Sequence, residues 1–172
     1  MRSQRLIALA AVCVVAGLVV FVAYRFMAGR VRGGAESIVV YYTKTDGITE
    51  VPWRVTLGPA RDRKSVAFYA AAQALAGPAT DVEAIRFPAG THVRALEIAG
   101  SVVDVDLSNE VSKSAEGGLA ETAEFKSLVW TLTDPKTLPG VDAVRIRVDG
   151  TRVATLPGGH FELDEPLSRT TF

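Results

Sequence analysis

Between Arg5 and Arg25 the chain runs through 19 residues, Leu6 to Tyr24, that carry no charge and nothing more polar than the Tyr24 hydroxyl. As a helix rising about 1.5 Å per residue, this run is roughly 28 Å long, close to the roughly 30 Å hydrocarbon core of a bilayer. Arg2 and Arg5 flank one end, Arg25, Arg30 and Arg32 flank the other, and Tyr24 sits where an interfacial aromatic belongs. A cleaved leader requires a shorter apolar core and an A-x-A-like site, and none follows Tyr24. A lipoprotein signal requires a small residue before Cys13, where Val12 stands instead. The run is therefore read as an uncleaved single-pass anchor within residues 1–27. Counting the amino terminus, positive groups balance across the span, so charge alone does not orient it. Cys13 is the only cysteine, which leaves no intramolecular disulfide.

Beyond the anchor, residues 28–37 ("AGRVRGGAES") form a glycine-containing linker. Lys and Arg number 19 and so do Asp and Glu, a balance that argues against a nucleic-acid partner, which would call for surplus cations. "SIVVYYT" (37–43) is β-branched and aromatic and predicts a strand. "VPWRVTL" (51–57) predicts a second, placed at a sheet edge by Pro52. From Asp62 to Ala76, the spacing of Phe68, Ala71, Ala72 and Leu75 predicts a helix with one apolar face, closed by Gly77 and Pro78. A second helix is predicted over 119–132, with Phe125, Leu128, Val129 and Leu132 as its stripe.

Two hairpins are predicted. In "RALEIAGSVVDVD", a loop of Ala99-Gly100 sets Ile98 opposite Ser101 and Leu96 opposite Val103. Shifting by one residue would set Glu97 against Asp104, two like charges, so the first register is preferred. It turns Asp104 and Asp106 to a solvated outer face. In the second hairpin Val144, Ile146 and Val148 alternate with Arg145 and Arg147, Asp149-Gly150 turns, and "TRVATL" returns, placing Arg152 opposite Arg147. The order strand, helix, hairpin, helix, hairpin predicts an α+β two-layer sandwich: a small, mostly antiparallel sheet with two helices on one face.

The soluble part resembles the GerMN domain family of sporulation and germination proteins. The resemblance is carried by "ALAGP" (74–78), "FPAGTHVRALEIAGSVVDVDLS" (87–108), "SLVWTLT" (127–133), "GVDAVRIRVDG" (140–150) and "HFELDEPLSR" (160–169), in family order across residues 38–169. It implies a ring-building-motif-like fold, a place on the extracytoplasmic side of the cytoplasmic membrane, and an assembly role without a catalytic centre. It leaves residues 170–172 as a tail.

The candidate chemistry is sparse. Asp104 and Asp106 share a strand face and could act as acid and base, but a solvated pair lacks the shifted pKa such work needs. His92 and His160 are the only histidines and lack ligand spacing. There is no G-x-S-x-G elbow and no phosphate-binding loop; "EGGLAE" lacks the lysine. No catalytic residue, metal or cofactor is expected. Arg145, Arg147 and Arg152 form a candidate basic patch for a wall glycan, lipid headgroup or acidic peptide, against the plainer reading of ordinary surface arginines. Trp53 and Trp130 are candidate interface anchors, Trp130 alternatively packing on the tail. The leading expectation is a membrane-tethered, non-enzymatic adaptor that contacts envelope proteins or itself. The alternative is a ligand-binding module.

Overall fold

A computed structural model describes residues 37–58, 62–79, 82–113 and 118–172. The anchor (1–27) and all of the linker but Ser37 lie outside the described residues. Among the described residues no helix is long and apolar enough to cross a membrane.

Six strands and two α-helices follow one another among the described residues: β1 (Ser37–Thr43), β2 (Glu50–Thr56), α1 (Arg63–Ala76), β3 (Val93–Ala99), β4 (Val102–Leu107), α2 (Gly118–Leu132), β5 (Ala143–Val148) and β6 (Leu167–Ser168). Short 3₁₀ turns cover Asn109–Lys113 and Arg169–Thr171. The fold is α+β, as the patterning predicts, but the strands make two sheets rather than one. β1 and β2 form an antiparallel ribbon, and β3-β4-β5-β6 form a four-stranded sheet. α1 packs on β3, α2 on β5 and β6, the helices pack on each other, and β1 touches both.

Period-two patterning explains the sheet. Leu96, Val103, Val105, Leu107, Val144 and Ile146 point to the helices and are almost wholly buried. On α2, Phe125, Leu128, Val129 and Leu132 meet them, all fully buried. Each such side chain contributes about 1.5–3 kcal/mol through burial. The α1 face is rotated from the expected one. Ala67, Ala70, Ala71, Ala74 and Leu75 are buried, Ala72 is half-buried, and Phe68 is 41% exposed. Small alanines let α1 approach its neighbours closely, and the large ring is left on the rim.

The first hairpin adopts the register that charge repulsion argued against. Ala99 pairs with Val102, Ile98 with Val103, Leu96 with Val105 and Glu97 with Asp104. The loop is Gly100-Ser101, which puts a glycine at φ +62° in the first central position, as a type II′ turn requires. This register also matches apolar with apolar on the buried face. The second predicted hairpin does not form as such. Asp149-Gly150 does turn, but only one bridge, Val148 to Thr151, follows. β5 instead runs parallel to β4, with α2 as the crossover, and β6 from the end of the chain pairs with β5. The segment assigned as a tail is part of the fold: Phe172 stacks on Phe161, centroids 5.4 Å apart.

Candidate interaction surface

The open face of the four-stranded sheet carries both aspartates and two of the arginines. In register, Asp104 lies beside Arg145 and Asp106 beside Arg147. Arg147 Nε reaches back to Asp104 Oδ1 at 2.6 Å. A β-bulge between Val93 and Ala95 re-aims Arg94, which contacts Asp106 at 3.4 Å and Asp149 at 3.0 Å. Asp106 is only 6% exposed rather than solvated, and its Oδ1 accepts from Gly150 N–H at 2.7 Å. The pair is thus occupied with holding a turn and two strands. Arg145 is half-buried, its Nε without a hydrogen-bond partner among the described residues, and Arg152 is exposed just past the Val148–Thr151 bridge, the single pairing of that segment with β5. Arg145 and Arg147 therefore share their sheet face with Asp104 and Asp106, and signs alternate across the β4–β5 seam.

Trp130 lies under the end of the chain. The Arg169 guanidinium sits 4.6 Å from the Trp130 ring centre and 5.3 Å from that of Tyr41, whose ring meets Trp130 edge-on at 5.6 Å. Arg169 also donates to Trp130 O and Thr133 Oγ1. Tyr41 donates to Asp134 at 2.8 Å, and burial followed by this bond raises the phenol pKa. The cluster clamps the C-terminal turn to the end of α2, where a cation suits the helix dipole.

The two histidines lie apart on the surface. His92 is exposed, with Nδ1 2.9 Å from Gly90 O; His160 is exposed and contributes its backbone N–H to buried Glu121. Among the described residues no group of three or more His, Cys, Asp or Glu is placed to hold a metal. Cys13 lies outside the described residues.

What the surface does offer is apolar and rigidly held. Ile48 is 74% exposed and Leu119 60%. They belong to one construction: Leu119 lies on Gly47, where φ is +71° and an added Cβ would collide with the leucine side chain. Asp46 accepts from Ile48 N–H, Thr49 N–H and the Thr49 hydroxyl, and Lys126 Nζ donates to Ile48 O at 2.7 Å. The three bonds to its carboxylate, led by that of the Thr49 hydroxyl, lower the Asp46 pKa to about 2. Lys126 also faces half-buried Glu50 at 3.5 Å. Burial raises the Glu50 pKa, opposed by the Thr43 hydrogen bond and by Lys126. Trp53 is 44% exposed on β2. Ile48 and Leu119 escaped the sequence reading; the available signal was an isolated isoleucine inside the turn "TDGIT", where a polar residue belongs.

The same ribbon, helices and four-stranded sheet occur in known proteins. Tandem GerMN domains of the sporulation protein GerM from Bacillus subtilis superpose with a TM-score of 0.62 at 24% identity, covering 77% of this chain and 46% of that one. This chain thus spans about half of the tandem structure. The first of those domains alone gives 0.61 at 24% identity, covering 78% of this chain and 98% of that one. A putative lipoprotein from Clostridium perfringens gives 0.55 at 19% identity, covering 78% and 86%. No curated protein matches. These likenesses define the class, an α+β domain of the GerMN fold. The family profile described as "Germane: Sporulation and spore germination" matches residues 39–154, and the chain belongs to that family.

Proposed function

We propose that this protein is a non-enzymatic adaptor of the bacterial cell envelope. Residues 6–24 tether it to the cytoplasmic membrane, and the GerMN-like domain lies on the extracytoplasmic side. The domain supplies a surface on which envelope proteins, or further copies of the chain, assemble. The anchor rests on the uncharged Leu6–Tyr24 run with its flanking arginines. The side of the membrane rests on kinship with the sporulation and germination family.

The observation that carries the adaptor role is the Ile48–Leu119 pair. Exposed apolar side chains that adjoin one another, as Leu119 does the Gly47–Ile48 turn, make a ready contact site when their backbone is held in place beforehand. Here Gly47, Asp46 and Lys126 do the holding. The test is chemical crosslinking in cells followed by affinity capture of the full-length protein from membranes. Recovery of defined partners that are lost on Ile48→Ser/Leu119→Ser supports the role. Recovery of bait alone, with no crosslinked multimer, would refute it.

A further inference from the structure

We propose that the open edge of β2 is a strand-addition site for an extended, acidic segment of a partner protein. The inference rests on the adaptor reading and deepens it by naming one docking site and the chemistry of its occupant.

Backbone direction comes first. Val39 N–H donates to Thr137 Oγ1 and Tyr41 N–H to Thr131 Oγ1, while Thr43 O accepts from Ile85 N–H. These groups of β1 all point away from β2. In an antiparallel pair, opposed residues turn their backbone groups either toward each other or both away. The opposed residues are Arg54, Pro52 and Glu50, so their backbone groups point out to the free side of β2. Pro52 thus occupies a position where its missing N–H costs the ribbon no bond. Thr56, two residues beyond Arg54, also points outward, and its carbonyl is taken by Tyr69 Oη at 3.2 Å. The N–H and C=O of Arg54, the N–H of Thr56 and the C=O of Pro52 have no partner among the described residues. Pro52 keeps the edge from being a general template; what stays open centres on Arg54.

The side chains then set what is recognised. Arg54 and Pro52 share a face with Val39 and Tyr41 and, with Asp134 and Lys136, line a hollow of about 330 Å³. Asp134 is engaged by the Tyr41 hydroxyl, the Lys136 N–H and Arg169. The side chains of Arg54 and Lys136 make no hydrogen bond or ion pair among the described residues. Two unanswered cations beside an open edge call for a carboxylate on the incoming strand. On the other face, Trp53 stands between half-buried Val51 and Val55 and offers apolar contact. A strand alternates its side chains, so the matching partner alternates acidic and apolar residues.

The experiment uses full-length protein in detergent micelles with two probes, the capped peptides (Val-Glu)4 and (Val-Lys)4. Hydrogen exchange at the Arg54 and Thr56 amides is expected to slow by about tenfold or more with the acidic peptide and not with the basic one. Arg54→Glu should reverse the preference. Arg54→Pro, which removes that N–H, should abolish the protection at Thr56 while the ribbon, which does not use the N–H, persists. Equal binding of the two peptides, no binding, or protection confined to other amides would overturn the proposal. In cells, a photoreactive residue at Trp53 is compared with one at Asn109, which lies on neither strand of the ribbon. Partners captured at Trp53 support strand addition. Partners captured only at Asn109 sink it while leaving the adaptor role standing, and capture at neither position, with crosslinking as above returning bait alone, sinks both.

Discussion

Arg147 passes over its register neighbour Asp106 and binds Asp104, Nε to Oδ1 at 2.6 Å, diagonally across the parallel seam of β4 and β5. That contact explains how Glu97 tolerates Asp104 directly opposite it on β3. The like-charge cost is met by a cation from the third strand. Arg147→Met should therefore destabilise the domain by about 1–2 kcal/mol, the value of a mostly buried pair together with a newly exposed repulsion. Adding Glu97→Gln should recover part of the loss. Urea midpoints in a double-mutant cycle measure the coupling, and strict additivity would deny that Glu97 and Arg147 act on the same aspartate.

Asp106 is a structural acid. It accepts from Gly150 N–H on one oxygen and meets Arg94 on the other. Asp106→Ala should cost about 2–3 kcal/mol, the range for a buried hydrogen bond to a charged group with a donor left behind. Asp106→Asn should cost less, because its carbonyl still accepts from Gly150. Denaturation curves order the two variants; an alanine variant as stable as the parent would mean the turn holds itself.

Which parts of this were legible in the sequence follows from the range of the interactions. The α2 stripe was readable because Phe125 to Leu132 is set by one helix's own periodicity, and all four residues are buried. The hairpin register was misread because Glu97 and Asp104 were weighed as a pair. Arg147, 43 positions from Asp104, decides the sign, and no two-strand argument contains it. The parallel seam hid for a similar reason. "VDG" is a true turn signal, but the strand that pairs antiparallel with β5 comes from Leu167–Ser168 rather than from the residues just after the turn. On α1, Phe68 drew the stripe toward itself, whereas close packing selected the alanines beside it. The edge at Pro52 was legible as chemistry of one residue; the hollow beside it needs Asp134 and Lys136, which only the fold brings near.

Arg169 lies against two rings and donates through a planar fork, so lysine is a poor substitute. Arg169→Lys should lose about 1–2 kcal/mol, combining a cation–π contact with a charge-assisted hydrogen bond. Trp130 fluorescence should change with it, since the ring loses its cover. Unaltered emission together with unaltered stability would remove Arg169 as the clamp on the C-terminal turn.

Gly47 supports Leu119 by having no side chain. Gly47→Ala should destabilise by about 1–2 kcal/mol, from a left-handed backbone that alanine disfavours and from displacement of Leu119. In Leu119→Ala the steric part disappears, so Gly47→Ala should then cost only about 1 kcal/mol. Calorimetry on the four proteins separates the parts; an equal cost in both backgrounds would show that the leucine does not press on the glycine.

Asp46 and Glu50, four positions apart around the same turn, respond to pH in opposite senses. Asp46 is lowered from 3.8 to about 2, chiefly by the Thr49 hydroxyl. Its contribution to stability is present above 3.8 and lost as pH falls through about 2. Glu50 is raised above 4.5, chiefly by burial, so its contribution is full below 4.5 and lost as pH rises through the raised value. Taken as a pair, their summed contribution is greatest between 3.8 and 4.5 and declines on each side, while Asp62 and Glu110, whose pKa values are also lowered by hydrogen bonds, add to the acid limb. Glu50→Gln should flatten the upper decline and leave the lower one, and Asp46→Asn should do the reverse. Urea midpoints across the acid range read both limbs. Parallel upper limbs in the parent and Glu50→Gln would assign that proton to another group and leave burial of Glu50 without a cost.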